Sequence, residues 1–184
     1  MTSHAIAIAA GLVSLLVVEG HHHPAIQQAL AVVGQAVNPV KVVGSSQIQA
    51  LYAGMPGVRS PGTGLNAFRA PGNPADPYIY VNEDSAIYRT AVEKPSPLAL
   101  LTLAATLVHE HVHNTDSDLA AYRVQSDFVR SRLSSLPRQQ RQAGGAYLDR
   151  LDAKAQSLAY AVHRQRMLIA AGRVAAARAR ASRS

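Results

Sequence analysis

Residues 96–113 read SPLALLTLAATLVHEHVH, and the fold is organised around them. Ser96 is a good helix N-cap and Pro97 suits the first helical position. From Leu98 to His113 no glycine or proline interrupts the run. It is apolar nearly all round, with Leu98, Leu100, Leu101, Leu103, Leu107 and Val108, and a helix apolar on every face is a buried central helix. Its end carries His109-Glu110-His111-Val112-His113, an H-E-x-x-H. Residues four apart lie one turn apart, so His109 and His113 share a face and can hold one zinc ion, with Glu110 placed to act on a water bound to it. In a core helix an idle cluster of polar groups would cost free energy. His111 falls on the opposite side, as a hydrogen-bonded structural residue.

Asn114-Thr115-Asp116-Ser117 is a turn cluster, and a second helix runs from near Asp118 to Leu133. So short a connection makes the two helices antiparallel neighbours. A catalytic zinc takes three protein ligands and a water. No glutamate follows Glu110, which excludes the downstream-Glu arrangement of thermolysin-type enzymes, and the metzincin pattern fails because its glycine and third-ligand positions hold Asp116 and Leu119. The preferred third ligand is Asp118, with Asp116 as the alternative. Asp118, Tyr122 and Gln125 stand at i, i+4 and i+7, one helix face. The competing reading is that either aspartate N-caps the second helix. On this scheme Glu110 is the general base, Tyr122 a candidate oxyanion donor, and Gln125 orients a ligand or holds water.

Upstream, Pro24 opens a helix over Ala25–Val37 that Asn38-Pro39 ends. Val40–Val43 and Tyr78–Asn82 read as strands by their β-branched and aromatic content, a weak helix covers Ser46–Tyr52, and Gly/Pro-rich residues 54–77 read as loop with a short strand within Leu65–Ala70. After Pro137 a third helix, loosened at Gly144-Gly145, carries a packing stripe of Leu148, Leu151, Ala155, Leu158 and Val162. The expected fold is therefore α+β and mostly helical. A small sheet precedes a buried active-site helix, followed by an antiparallel helix and a long C-terminal helix. One domain spans residues 1–172, and a basic Arg/Ala-rich tail, expected to fray, covers 173–184.

The chain has 184 residues and no cysteine, so any metal must be held by histidine and carboxylate. The net charge of +7 sits entirely in residues 153–184, where Lys154, Arg164, Arg166, Arg173, Arg178, Arg180 and Arg183 face no acid. The body is neutral, which argues against a nucleic-acid-binding core. Residues 1–20 contain an apolar run, Ala5–Val18, readable as a signal segment, an anchor or part of the core. Membrane contact through that run or the basic tail stays open, and the compartment is undetermined. His21–His23 read as an exposed loop run and His163 as surface or packing.

Leu107-Val108-His109-Glu110-His111-Val112-His113 is similar to the active-site helix of zincin metallopeptidases. Asp118-Leu119-Ala120-Ala121-Tyr122-Arg123-Val124-Gln125 resembles an acid-x-x-A-Y-x-x-Q signature of small gluzincin-type members, which carry Glu at the acid position, whereas aspzincins carry Asp. The resemblance covers roughly residues 78–130. It implies a zincin-like fold, a single Zn²⁺ cofactor, hydrolysis of a peptide or protein substrate, and a substrate strand lying along a sheet edge at Tyr78, Ile79, Tyr80, Val81 and Asn82. Two alternatives stay open: a catalytically silent zinc-binding module, and a helical, membrane-associated protein with a chance H-E-x-x-H.

Overall fold

The computed structural model of the chain describes residues 18–19, 23–53, 64–70, 75–113 and 117–181. The elements run β1 (Val18–Glu19), α1 (Pro24–Val33), β2 (Val40–Val43), α2 (Ser45–Ala53), β3 (Ala67–Arg69), β4 (Ile79–Asn82), α3 (Ala86–Glu93), α4 (Pro97–Val112), α5 (Asp118–Arg132), a 3₁₀ turn (Leu133–Ser135) and α6 (Arg138–Ala181). The fold is α+β and mostly helical. Its sheet has four strands in the order β1-β2-β4-β3. β2 and β4 pair in parallel, and β1 and β3 flank them antiparallel. Residues 1–17, most of the apolar N-terminal run, lie outside the described residues, as do His21 and His22.

Alternation along the strands separates two cores. Val40, Val42, Ala67, Ile79 and Val81 point to one face and pack with α1, α3 and α4. Val43, Phe68 and Tyr80 point to the other and pack with Ile48 of α2. There the Phe68 and Tyr80 rings stack at 5.2 Å. α4 lies between two layers: Leu103, Ala104, Leu107 and Val108 meet the sheet core, while Leu101 and Ala105 join Val129 of α5 and Leu148 and Leu151 of α6 in a second cluster. The expected buried central helix is thus present. Its threonines remain satisfied because Thr102 Oγ1 donates to Leu98 O at 2.9 Å and Thr106 Oγ1 to Thr102 O at 3.1 Å.

Caps fix the helix starts. Ser96 accepts from Ala99 N at 3.2 Å, with Pro97 inside the first turn. α1 stops at Val33, short of the expected Val37, because Gly34 takes a left-handed conformation (φ 71°) and returns its N–H to Leu30 O. His23 is half-buried and caps α1 through Nδ1, rather than sitting in an exposed loop.

The third helix departs most from expectation. Gly144-Gly145 does not loosen it, and it runs unbroken for 44 residues, about 66 Å at 1.5 Å per residue. Gly144 is buried, and a Cβ there would come within 2.8 Å of Leu133 Cδ1 and Leu136 Cδ1, so the glycine admits close approach of the neighbouring turn. Leu98 N, in the first turn of its helix, donates to Gln140 Oε1 at 2.9 Å and ties α6 to the start of α4. The packing stripe ends sooner than expected: Leu148, Leu151 and Ala155 are buried, but Val162 is exposed. Leu158 is half-buried, and past Ala159 the helix leaves the body, with Tyr160 (69%), Met167 (59%) and Leu168 (64%) facing solvent. Residues 173–181, expected to fray, continue the helix. Among the described residues no helix is long and apolar enough to cross a membrane.

Candidate metal centre

The last turn of α4 and the first two turns of α5 face one another in antiparallel order. His113 Nε2 is 2.9 Å from Asp118 Oδ1. One turn deeper the His109 ring meets the Tyr122 ring edge-on, at 4.4 Å between centroids. Deeper still, Gln125 reaches the level of Thr106 and His109. The His109 and His113 rings lie 4.7 Å apart, as one turn of helix requires. His111 points the other way, and its Nδ1 is 2.6 Å from Asn38 Oδ1, the structural role expected of it.

Ser117, not an aspartate, caps α5: its Oγ accepts from Ala120 N. Asp118 is therefore the first residue inside the helix, and its carboxylate is free of capping duty. Asp116 lies outside the described residues.

A cavity of about 290 Å³ opens beside the two helices. Its walls are Gly64–Ala67, Ile87, Thr106, His109, Glu110, Tyr122 and Gln125, with Tyr147 and Leu151 from α6. Burial dominates its electrostatics. It pushes the His109 imidazole down to about 4, helped by repulsion from His113 and opposed by Gln125 and Asp118. It pushes the Glu110 carboxyl up to about 8, against the pull of the Arg69 guanidinium and with Asp118 adding to the rise. The Tyr122 phenol is raised by burial and by the nearby Asp118 and Glu110 charges. A carboxyl held near neutrality beside two imidazoles is a group poised to exchange a proton.

Two imidazoles and a carboxylate form a donor set that suits zinc. Ligand atoms on one tetrahedral zinc stand about 3.3 Å apart, close to the spacing between His113 Nε2 and Asp118 Oδ1. Nδ1 of His109 is buried and lacks a hydrogen-bond partner among the described residues. The Asp118 side chain is 64% exposed and has room to turn. As the side chains stand, no three imidazole or carboxylate groups among the described residues converge into a ready-made cage. The residue types suit the ion, and closing around it would require these side chains to turn.

Tyr78–Asn82 does not form a substrate edge. β4 is an interior strand: Ile79, Tyr80 and Val81 pair with Val40, Lys41 and Val42 on one side and with Arg69, Phe68 and Ala67 on the other. Its backbone groups are spent on those ladders. Tyr78 packs under the Lys41 ammonium at 3.6 Å. Tyr80 donates its hydroxyl to Asp76 Oδ2 at 2.8 Å. Asn82, fully buried, donates Nδ2 to Leu65 O at 2.9 Å and so fastens the cavity wall. The strand at the sheet margin beside the cavity is β3.

Sequence reasoning missed Arg69, Thr106 and Tyr147. Tyr147 follows the close-packing Gly144 by three residues, and a glycine inside a helix is the one local sign that α6 presses inward there. The chain matches no family model, no curated protein and no solved structure.

Proposed function

We propose that the chain is a zinc-dependent peptidase of the zincin type, in which His109, His113 and Asp118 hold the metal and Glu110 is the general base. The observation that carries this reading is the convergence of two helices. An H-E-x-x-H turn sets two imidazoles 4.7 Å apart, and the facing helix brings a carboxylate to 2.9 Å from one of them.

A bound zinc supplies Lewis-acid polarisation and makes water acidic enough to react near neutral pH. Glu110 takes a proton from the attacking water and passes it to the leaving amine, a task its raised pKa suits. Arg69 lies close enough to favour the Glu110 carboxylate before the first transfer and after the second. The Tyr122 phenol, on the same wall, donates to the oxygen on which negative charge develops. An extended peptide adds to the outer margin of β3, where no strand is paired among the described residues, and passes Gly64–Ala67 toward Glu110.

A second reading, a helical protein with an accidental H-E-x-x-H, is favoured by one observation: Asp118 and His113 already sit at ordinary ion-pair distance, and among the described residues no third donor completes a cage with them. Metal analysis separates the two. The expected result is one zinc per purified chain, together with cleavage of a peptide library that a chelator stops and zinc restores. A chain that takes up no zinc from micromolar solution overturns the proposal. Stoichiometric zinc without cleavage of any peptide would reduce the protein to a zinc-binding module.

A further inference from the structure

Among the described residues His109 Nδ1 is a buried nitrogen without a hydrogen-bond partner, one side chain away from an amide that has one. A neutral imidazole carries one N–H and one lone pair. If one nitrogen faces a metal, the other must donate, and in zinc sites a fixed acceptor receives that proton and sets the ring's orientation. Gln125 is 5% exposed, lines the same cavity wall and stands close enough to His109 to affect its charge. It donates Nε2 to the Tyr147 hydroxyl at 3.0 Å. The Tyr147 phenol in turn has Thr106 as its second polar neighbour. Thr106 spends its own hydrogen on Thr102 O at 3.1 Å, so its oxygen is left to accept.

One order of donors satisfies all these contacts. Thr106 gives to the α4 backbone, the Tyr147 O–H gives to Thr106, and Gln125 gives its N–H to Tyr147. With its nitrogen turned to Tyr147, the Gln125 amide presents its carbonyl oxygen on the other side, as the acceptor that an imidazole N–H needs. We infer that Tyr147 and Gln125 form a positioning pair for the metal centre: Tyr147 holds the Gln125 amide so that, when the metal binds, its carbonyl oxygen accepts from Nδ1–H of His109, leaving Nε2 of that ring as the metal-facing nitrogen. The pair reaches the site from two different helices. Gly144, one turn before Tyr147, is what lets α6 come that close. This inference rests on the zinc reading of the same site.

The test compares full-length wild type, Tyr147→Phe, Gln125→Leu and Gln125→Glu by zinc competition against a chromophoric chelator and by the visible spectrum of the cobalt(II)-loaded chain. Expected are a zinc affinity about 10-fold weaker in Tyr147→Phe and about 10- to 100-fold weaker in Gln125→Leu, each with an altered cobalt spectrum. Gln125→Glu, which keeps an acceptor for His109, restores wild-type affinity or exceeds it. A purely structural contact would lower the thermal midpoint of the metal-free chain and leave the cobalt spectrum of the folded fraction unchanged. Wild-type zinc binding combined with Tyr147→Phe and Gln125→Leu affinities within twofold of it overturns the positioning role and leaves the metal centre standing. Failure of the wild type to bind zinc or cobalt overturns both. Should Tyr147→Phe fail to fold, the Gln125→Leu and Gln125→Glu pair decides on its own.

Discussion

The first three turns of α4 and its last turn belong to one buried helix and obey opposite rules. Upstream, every large side chain meets apolar neighbours, and both threonines return their hydroxyls to the helix's own carbonyls. Downstream, a buried imidazole nitrogen has no hydrogen-bond partner among the described residues and a carboxyl is driven up to about 8. The upstream turns have the properties of stable packing, and the last turn those of a reactive site. One helix can carry both because the rigid half holds the uncomfortable half in place.

The strongest way to separate the halves is Glu110→Gln. Peptide hydrolysis should fall by about 10²- to 10⁴-fold with zinc content unchanged, measured as kcat/KM on a cleaved library peptide. Leu103→Ala should do the reverse. It should destabilise the chain by about 2–5 kcal/mol in urea unfolding and leave zinc bound per folded molecule unchanged. Similar losses of stability from both substitutions would erase the distinction.

Metal removal comes next. At a free zinc concentration about 100 times Kd, binding adds about 2.7 kcal/mol to unfolding, which a chelator should take away. His109→Ala should make the chain's stability indifferent to zinc. In α6, Gly145→Ala meets no atom within 4 Å and should stabilise by about 0.5–1 kcal/mol, whereas Gly144→Ala should forfeit that gain against Leu133 and Leu136.

The smallest effect is a control far from the metal. Asp84 accepts from Ser45 N and pairs with Arg89, and these partners lower its pKa below the usual 3.8. A carboxylate whose folded pKa is depressed stabilises the protein above its unfolded pKa and loses that contribution as pH falls through the folded value. Asp84→Asn should therefore flatten the acid limb of the stability curve below about pH 4 without touching activity at neutral pH.

What could be read beforehand was whatever local chemistry decides. Ser96-Pro97 announces a helix start, β-branched and aromatic runs announce β2 and β4, and the H-E-x-x-H spacing needs only one turn of helix to join its imidazoles. Asp118 was reachable because a short turn leaves α5 little choice of direction. Strand order was not legible. Tyr78–Asn82 has the composition of a strand, but whether it is interior or marginal depends on Val40–Val43 and Ala67–Arg69, distant in sequence and linked to it only by backbone ladders. Tyr147 was hidden for the same reason: its role depends on how deeply α6 settles, which Gly144 controls. The N-cap of α5 turned on a choice between adjacent good caps, and Ser117 took it.

α6 is also two regions in one element, anchored through Ala155 and free of the core beyond Val162. An isolated helix must first close an unfavourable opening turn before each added residue helps. Here that turn already exists inside the body, so residues beyond 162 only propagate a template, and their Ala- and Arg-rich composition favours doing so. Warming should unwind this extension progressively from its far end while the body keeps its cooperative transition, giving far-ultraviolet dichroism a sloping baseline well before the main melt.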